Sequence, residues 1–169
     1  MKKLLISSLA VLAVAASLVS AQDAAPAAPA EGAAAAETKL VLGVLPSVMQ
    51  FDKKAFDVKA GSKVSILFTN KACPLQHNLI VLKPGTDAAV GAAADKMITT
   101  DAAGALTKCY VPDDAASKAA IIAHSTKLIG AGQNEVITFT APSEPGAYPY
   151  VCTFPGHRFL MKGVMTVTK

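Results

Sequence analysis

The octapeptide KVSILFTN, residues 63–70, sets Val64, Ile66 and Phe68 against Ser65, Leu67 and Thr69, directly after the turn sequence KAGS. A period of two built from β-branched and aromatic residues makes a strand with one buried face and is wrong for an amphipathic helix. Runs of the same kind continue to the end of the chain. HNLIVLKPG stops at Lys83-Pro84-Gly85, NEVITFTAPSEPG puts Ile137 and Phe139 on one face, GAYPYVC does the same with Tyr148, Tyr150 and Cys152, and KGVMTVTK closes the series. Upstream, LVLGVLPSVMQFD and AFDV supply one or two more. Pro149 has no N–H to give, so its strand is expected to be irregular on that side. Seven or eight short strands between turns predict an all-β, two-sheet sandwich. One stretch breaks the rhythm. Residues 86–108, TDAAVGAAADKMITTDAAGALTK, are alanine-rich, and Asp87 is placed to cap a helix running towards Met97, which predicts a helical flap between strands.

The start of the chain is of another character. A basic Met1-Lys2-Lys3, an apolar run from Leu4 to Val19 and the small residues Val19-Ser20-Ala21 have the form of a signal peptide over residues 1–21. The run is too short for a membrane span, and no stable membrane anchor is expected. Residues 22–38 are mostly alanine and proline with nothing large to bury, and are expected to form a disordered tether ahead of one domain over residues 39–169. The formal charge is +4. Without Lys2 and Lys3 it becomes 14 basic against 12 acidic residues, nearly neutral. With no basic cluster interleaved with aromatics, a nucleic-acid partner is excluded.

Chemistry concentrates near the C-terminus. Cys152, His157 and Met161 fall within ten positions, in CTFPGHRFLM, where two strand-like runs meet. Far upstream, His77 stands directly before another such run. Taken singly, Met161 fits a core gap, His157 a turn, and Cys152 an inert buried thiol. Together, two imidazoles, a thiolate and a weaker thioether are the donor set of a blue copper centre, suited to a one-electron change of the metal. Zinc is the competing metal, but it prefers four firm nitrogen and sulfur ligands, and methionine is a poor fourth.

The loop CTFPGHRFLMKG followed by a terminal strand resembles that of azurin, a small bacterial cupredoxin. The likeness continues through MQFD (49–52), PDDAASKAAIIAHSTKLIGAG (112–132) and VITF (136–139), while LQHN (75–78) is closer to the related auracyanins. The resemblance implies a cupredoxin-like Greek-key β-sandwich that carries single electrons through one type 1 copper ion. It implies His77, Cys152 and His157 as in-plane ligands, Met161 as the axial one, and the carbonyl of Gln76 as a candidate weak fifth contact. By the same analogy Asn78 ties the two ligand-bearing loops together, and the backbone N–H groups of Asn78 and Phe154 hydrogen-bond the cysteine sulfur. His124 corresponds to a histidine outside the copper site.

Cys73 and Cys109 are left over by the metal. In an exported protein, counting alone pairs them as a disulfide. His157, between Pro155, Gly156 and Arg158, is expected to show an imidazole edge at the surface, ringed by Pro74, Leu75, Phe159 and Met97, where transient redox partners would dock on a monomer. The export signal and the family together suggest the periplasm, with an extracellular destination as the alternative. No enzyme is expected. Oxidases and reductases of copper need further centres and histidine pairs, and this chain has three histidines in all.

Overall fold

The computed structural model of the protein describes residues 37–169; the expected signal peptide and all but the last two residues of the expected tether lie outside them. Eight strands form two sheets. The first sheet has three strands in the order β1-β3-β6: β1 (Glu37–Gly43) runs parallel to β3 (Lys63–Asn70), and β6 (Gln133–Thr140) runs antiparallel to β3. The second has five in the order β2-β8-β7-β4-β5, with β2 (Ala55–Lys59) parallel to β8 (Lys162–Thr168), and β7 (Gly146–Val151), β4 (Ile80–Leu82) and β5 (Ile121–His124) following antiparallel. β1 starts two residues earlier than the expected domain boundary, because Glu37 and Thr38 already pair with Lys63 and Val64.

The alternation in KVSILFTN holds: Val64, Ile66 and Phe68 are wholly buried. With Leu42 and Ile137 of the same sheet they form one core with Val81, Tyr150 and Met165 of the other. Tyr150 anchors it, edge-on to Phe51 and stacked on Phe56, each at 5.3 Å between ring centres, with its hydroxyl donating to the carbonyl of Lys53 at 2.6 Å. Such aromatic geometry adds about 1 kcal/mol per pair beyond area burial.

β4 is apolar on both sides for a reason visible in its neighbours. Val81 joins the main core, while Ile80 and Leu82 point the other way and pack with Val90, Val111, Ala120 and Val151 in a second cluster. A strand covered on both faces loses its alternation. Val90 comes from the expected flap, which is in two pieces: α1 (Asp87–Thr100) and α2 (Ala102–Thr107), broken at Asp101, whose carboxylate accepts from the N–H of Gly104. Asp87 is not the cap. Thr86 holds that position, and Asp87 lies in the first turn, where a negative charge complements the helix dipole. A third helix, α3 (Ala115–Ala120), capped by Asp114, leads directly into β5, a strand that composition alone did not suggest.

Pro149 sits where its missing N–H does no harm. β4 pairs with β7 only at Val151 and Tyr150, so the ladder on that side ends one residue before the proline. Beyond Val151 the chain leaves the sheet as the loop that returns in β8.

Candidate metal centre

That loop is held at three points. Cys152 N–H donates to the carbonyl of Met161 at 3.0 Å, and His157 N–H donates to the carbonyl of Phe154 at 2.9 Å. Met161 N–H in turn donates to the carbonyl of His157 at 2.8 Å. Gly156 takes the left-handed conformation at φ 81°, which a side chain would resist, and lets residues 157–159 turn inward as one 3-10 turn. His77 comes from the opposite side. Its N–H and carbonyl pair with Ile129 at 3.1 and 2.9 Å, just before β4 begins.

The two loops bring His77, Cys152 and His157 together, with one donor atom from each lying within 4.8 Å of the others. Nδ1 of His77 is 3.9 Å and Nδ1 of His157 3.6 Å from the Cys152 sulfur, so both imidazoles turn the same nitrogen towards it. Cys152, His77 and Met161 are wholly buried. His157 is 2% exposed, which corrects the expectation of an imidazole edge at the surface. The 3-10 turn folds the ring in against Phe154 and His77, at 4.8 and 4.9 Å between ring centres. Of the apolar residues expected around it, Pro74, Leu75 and Phe159 are exposed, and Leu160 is exposed beside them. Met97, half-buried on α1, lines a cleft with Pro112, Asp113 and Asp114. His124 stands apart on β5, its Nδ1 2.8 Å from the carbonyl of Ser125.

Burial decides the protonation of the cluster. It lowers His77 to about 4, with His157 adding to the effect, and lowers His157 as well, so both rings offer a neutral nitrogen. It pushes the Cys152 thiol up to about 12, although the backbone N–H groups of Asn78 and Phe154 favour the thiolate. A cation among these groups would meet the sulfur as thiolate, as metal binding requires. Metal-free protein should therefore lose stability in acid. The unfolded chain takes up a proton on His77 near pH 6.5, whereas the folded chain does so only near 4. Stability is full above the first value and falls as pH drops towards the second, by up to ~3 kcal/mol. Urea titrations of the metal-free protein at pH 7 and pH 4.5 check this, and equal midpoints would contradict it.

Asn78, next to His77, is hydrogen-bonded to Thr153, next to Cys152. Its Oδ1 accepts from Thr153 N–H at 2.7 Å, and its Nδ2 donates to Thr153 Oγ1 at 2.8 Å and to the carbonyl of Cys109 at 2.6 Å. Thr153 Oγ1 donates on to the carbonyl of Tyr110 at 2.7 Å. Cys109 and Tyr110 hold φ of 54° and 57°, an unfavourable region for side-chain-bearing residues that these bonds offset.

The expected Cys73–Cys109 disulfide is not formed, and all three cysteines are free. The sulfur of Cys73 lies 3.3 Å from Nε2 of His77, and that of Cys109 reaches the carbonyl of Thr126 at 3.4 Å, so the two thiols are engaged in different places. Denatured metal-free protein handled without reductant should titrate three thiols; a count of one would reinstate the bond.

Two further residues at the site gave no sequence signal. Arg158, next to His157, lies across α1 and pairs with Asp95, Nε and Nη2 each 2.7 Å from Oδ2. Gly91 makes room for it, since a Cβ there would stand 2.6 Å from Arg158 Cδ. Arg158 also stacks on the Phe159 ring at 4.0 Å. The flap and the ligand loop are thus joined by a side chain from each.

The donor set, two neutral imidazoles and a thiolate-forming sulfur with Met161 buried beside them, fits copper better than a hard cation. Known proteins agree. Residues 38–168 match the family described as copper binding proteins, plastocyanin/azurin family. Auracyanin-A of Chloroflexus aurantiacus is 39% identical over 119 residues, covering 70% of this chain and 67% of that protein. Azurin of Pseudomonas aeruginosa is 36% identical over 124 residues, covering 70% and 78%. The solved structure of auracyanin A, described as a "blue" copper protein of Chloroflexus aurantiacus, superposes with a TM-score of 0.68 at 34% identity, over 79% of this chain and all of that one. Fold, donor set and kinship coincide on one centre: the chain belongs to the plastocyanin/azurin family of copper-binding proteins, with the cupredoxin sandwich and a single type 1 copper site.

Proposed function

We propose that this blue copper electron-transfer protein works as an exported, soluble shuttle, taking one electron from a redox protein and handing it to another. In this reading Nδ1 of His77, Sγ of Cys152 and Nδ1 of His157 would hold the metal, with the Met161 thioether as a weaker donor and the Gln76 carbonyl as a candidate weak contact. When bound, copper supplies a one-electron couple. The chain's own part is to keep its donors still and dry. The Cys152–Met161 and Met161–His157 backbone bonds, the paired His77 and Ile129, and the Asn78–Thr153 bond hold the ligands from several directions at once. Little would need to rearrange between oxidation states.

The observation that carries the proposal is the convergence of the two Nδ1 atoms on the Cys152 sulfur in a buried space. Partners would dock over Phe159, Leu160 and Leu75, which are 62%, 58% and 43% exposed around the ligand loops. A small apolar contact of that kind suits an encounter that must end quickly. Of the three histidines, two belong to the centre, and His124 bonds to the backbone, which favours a carrier over an enzyme. Export to the periplasm is supported by the form of residues 1–21. Among the described residues, no helix is long and apolar enough to cross a membrane.

The test is the visible spectrum of purified protein loaded with Cu(II). An intense blue cysteine-to-copper band that bleaches with a mild reductant and returns with an oxidant is expected; a colourless cupric protein would reject the site.

A further inference from the structure

Cys73 is left without its disulfide, yet it is 4% exposed and points at a copper ligand. His77 has two ring nitrogens with different surroundings. Nδ1 faces the Cys152 sulfur, and Nε2 faces the Cys73 sulfur at 3.3 Å. A metal at Nδ1 takes that lone pair, so the ring proton must sit on Nε2, and its hydrogen-bond partner among the described residues is the sulfur of Cys73. Metal-bound histidines nearly always give this second N–H to a carboxylate, a carbonyl or water, which fixes the ring and raises its basicity. Here a thiol stands in that place.

The thiol is itself held. Asn70, wholly buried at the end of β3, accepts the Cys73 N–H at Oδ1 over 2.9 Å and donates from Nδ2 to the Cys73 carbonyl at 3.0 Å. The same Nδ2 reaches the carbonyls of Leu75 at 3.0 Å and Ile129 at 3.4 Å. Ile129 is the residue whose backbone pairs with His77. One amide thus sets both the sulfur behind the imidazole and the backbone bridge that carries it.

We propose that Cys73 is a positioning residue for the copper centre: its sulfur accepts the Nε2–H of His77, holding the ring in the tautomer and orientation that present Nδ1 to the metal, with Asn70 fixing the sulfur in turn. Cys73 is not a ligand in this arrangement, because it meets the opposite nitrogen of the ring. A weakly accepting sulfur leaves the imidazole less electron-rich than a carbonyl would, so the residue bears on copper affinity and on the potential together.

This inference rests on the copper reading, and its test separates the two. Pulsed EPR of the cupric protein reports the remote nitrogen of each bound imidazole, whose quadrupole coupling responds to its hydrogen bond. In Cys73→Ala one of the two remote-nitrogen signals should shift while the other stays, the protein should remain blue, and copper affinity should fall about 10-fold in competition with a chelator. Cys73→Ser, which restores an acceptor, should recover most of that affinity and show a signal distinct from both. A blue Cys73→Ala protein with wild-type remote-nitrogen signals overturns the inference and leaves the copper site standing. If the alanine variant does not fold, wild-type signals in Cys73→Ser overturn it equally. A wild-type protein that is not blue removes both readings.

Discussion

Cys152→Ser protein loaded with Cu(II) is expected to have lost the blue colour entirely. The band requires sulfur bonded to the metal, and position 152 is the single cysteine whose sulfur meets the Nδ1 atoms of both histidines. A serine hydroxyl is nearly the same size and can accept the backbone N–H groups of Asn78 and Phe154 that now reach the sulfur. The fold should survive, because the change swaps one small buried group for another already facing two donors. What disappears is the soft anionic ligand: a hydroxyl in so dry a place has no reason to ionise, and the remaining donors are neutral. Visible absorption measured beside far-ultraviolet circular dichroism separates the outcomes. A folded variant that stays blue would mean that the colour arises elsewhere and that the ligand assignment is wrong.

The largest effect on stability is expected at Asn78. Asn78→Ala removes three hydrogen bonds at once and strands the Thr153 N–H and the Cys109 carbonyl. Each buried group left unpaired costs about 1–3 kcal/mol, and the strained conformations of Cys109 and Tyr110 lose the contact that over-determines them. A loss of about 3–5 kcal/mol follows, a large share of what a domain of this size commands. Urea unfolding of the metal-free variant measures it. A loss under about 1 kcal/mol would show that water or a local shift satisfies the stranded groups. Because the same bonds place Cys152 against His77, the copper-loaded variant should also show a changed spectrum, which a purely remote destabilisation would leave alone.

Much of this could be foreseen where chemistry is local in sequence. Cys152, His157 and Met161 share one short loop, and Val64, Ile66 and Phe68 announce their buried face by spacing alone. Asn70 continues that inward phase, and an amide at an inward position is itself a signal, since a buried amide must be satisfied by something. The choice of partners was not legible. Arg158 meets Asp95 across 63 positions, which no local pattern shows, and the Cys73 sulfur turns to His77 four residues on because the buried Asn70 amide bonds the intervening backbone at Cys73 and Leu75. The counting rule for cysteines failed because it treats thiols that the metal does not use as interchangeable. The expected exposure of His157 failed because proline and glycine suggested an open turn, whereas Gly156 at positive φ folds the ring inward.

The pairing of Arg158 with Asp95 over Gly91 makes the helical cover part of the ligand loop's mechanical support. A drift in the sequence of α1 is therefore felt next door to a copper ligand, although no atom of that helix belongs to the centre. A change at Asp95 or Gly91 would reach that loop with CTFPGHRFLM itself intact, through a helix that comparison of the loop alone would never inspect.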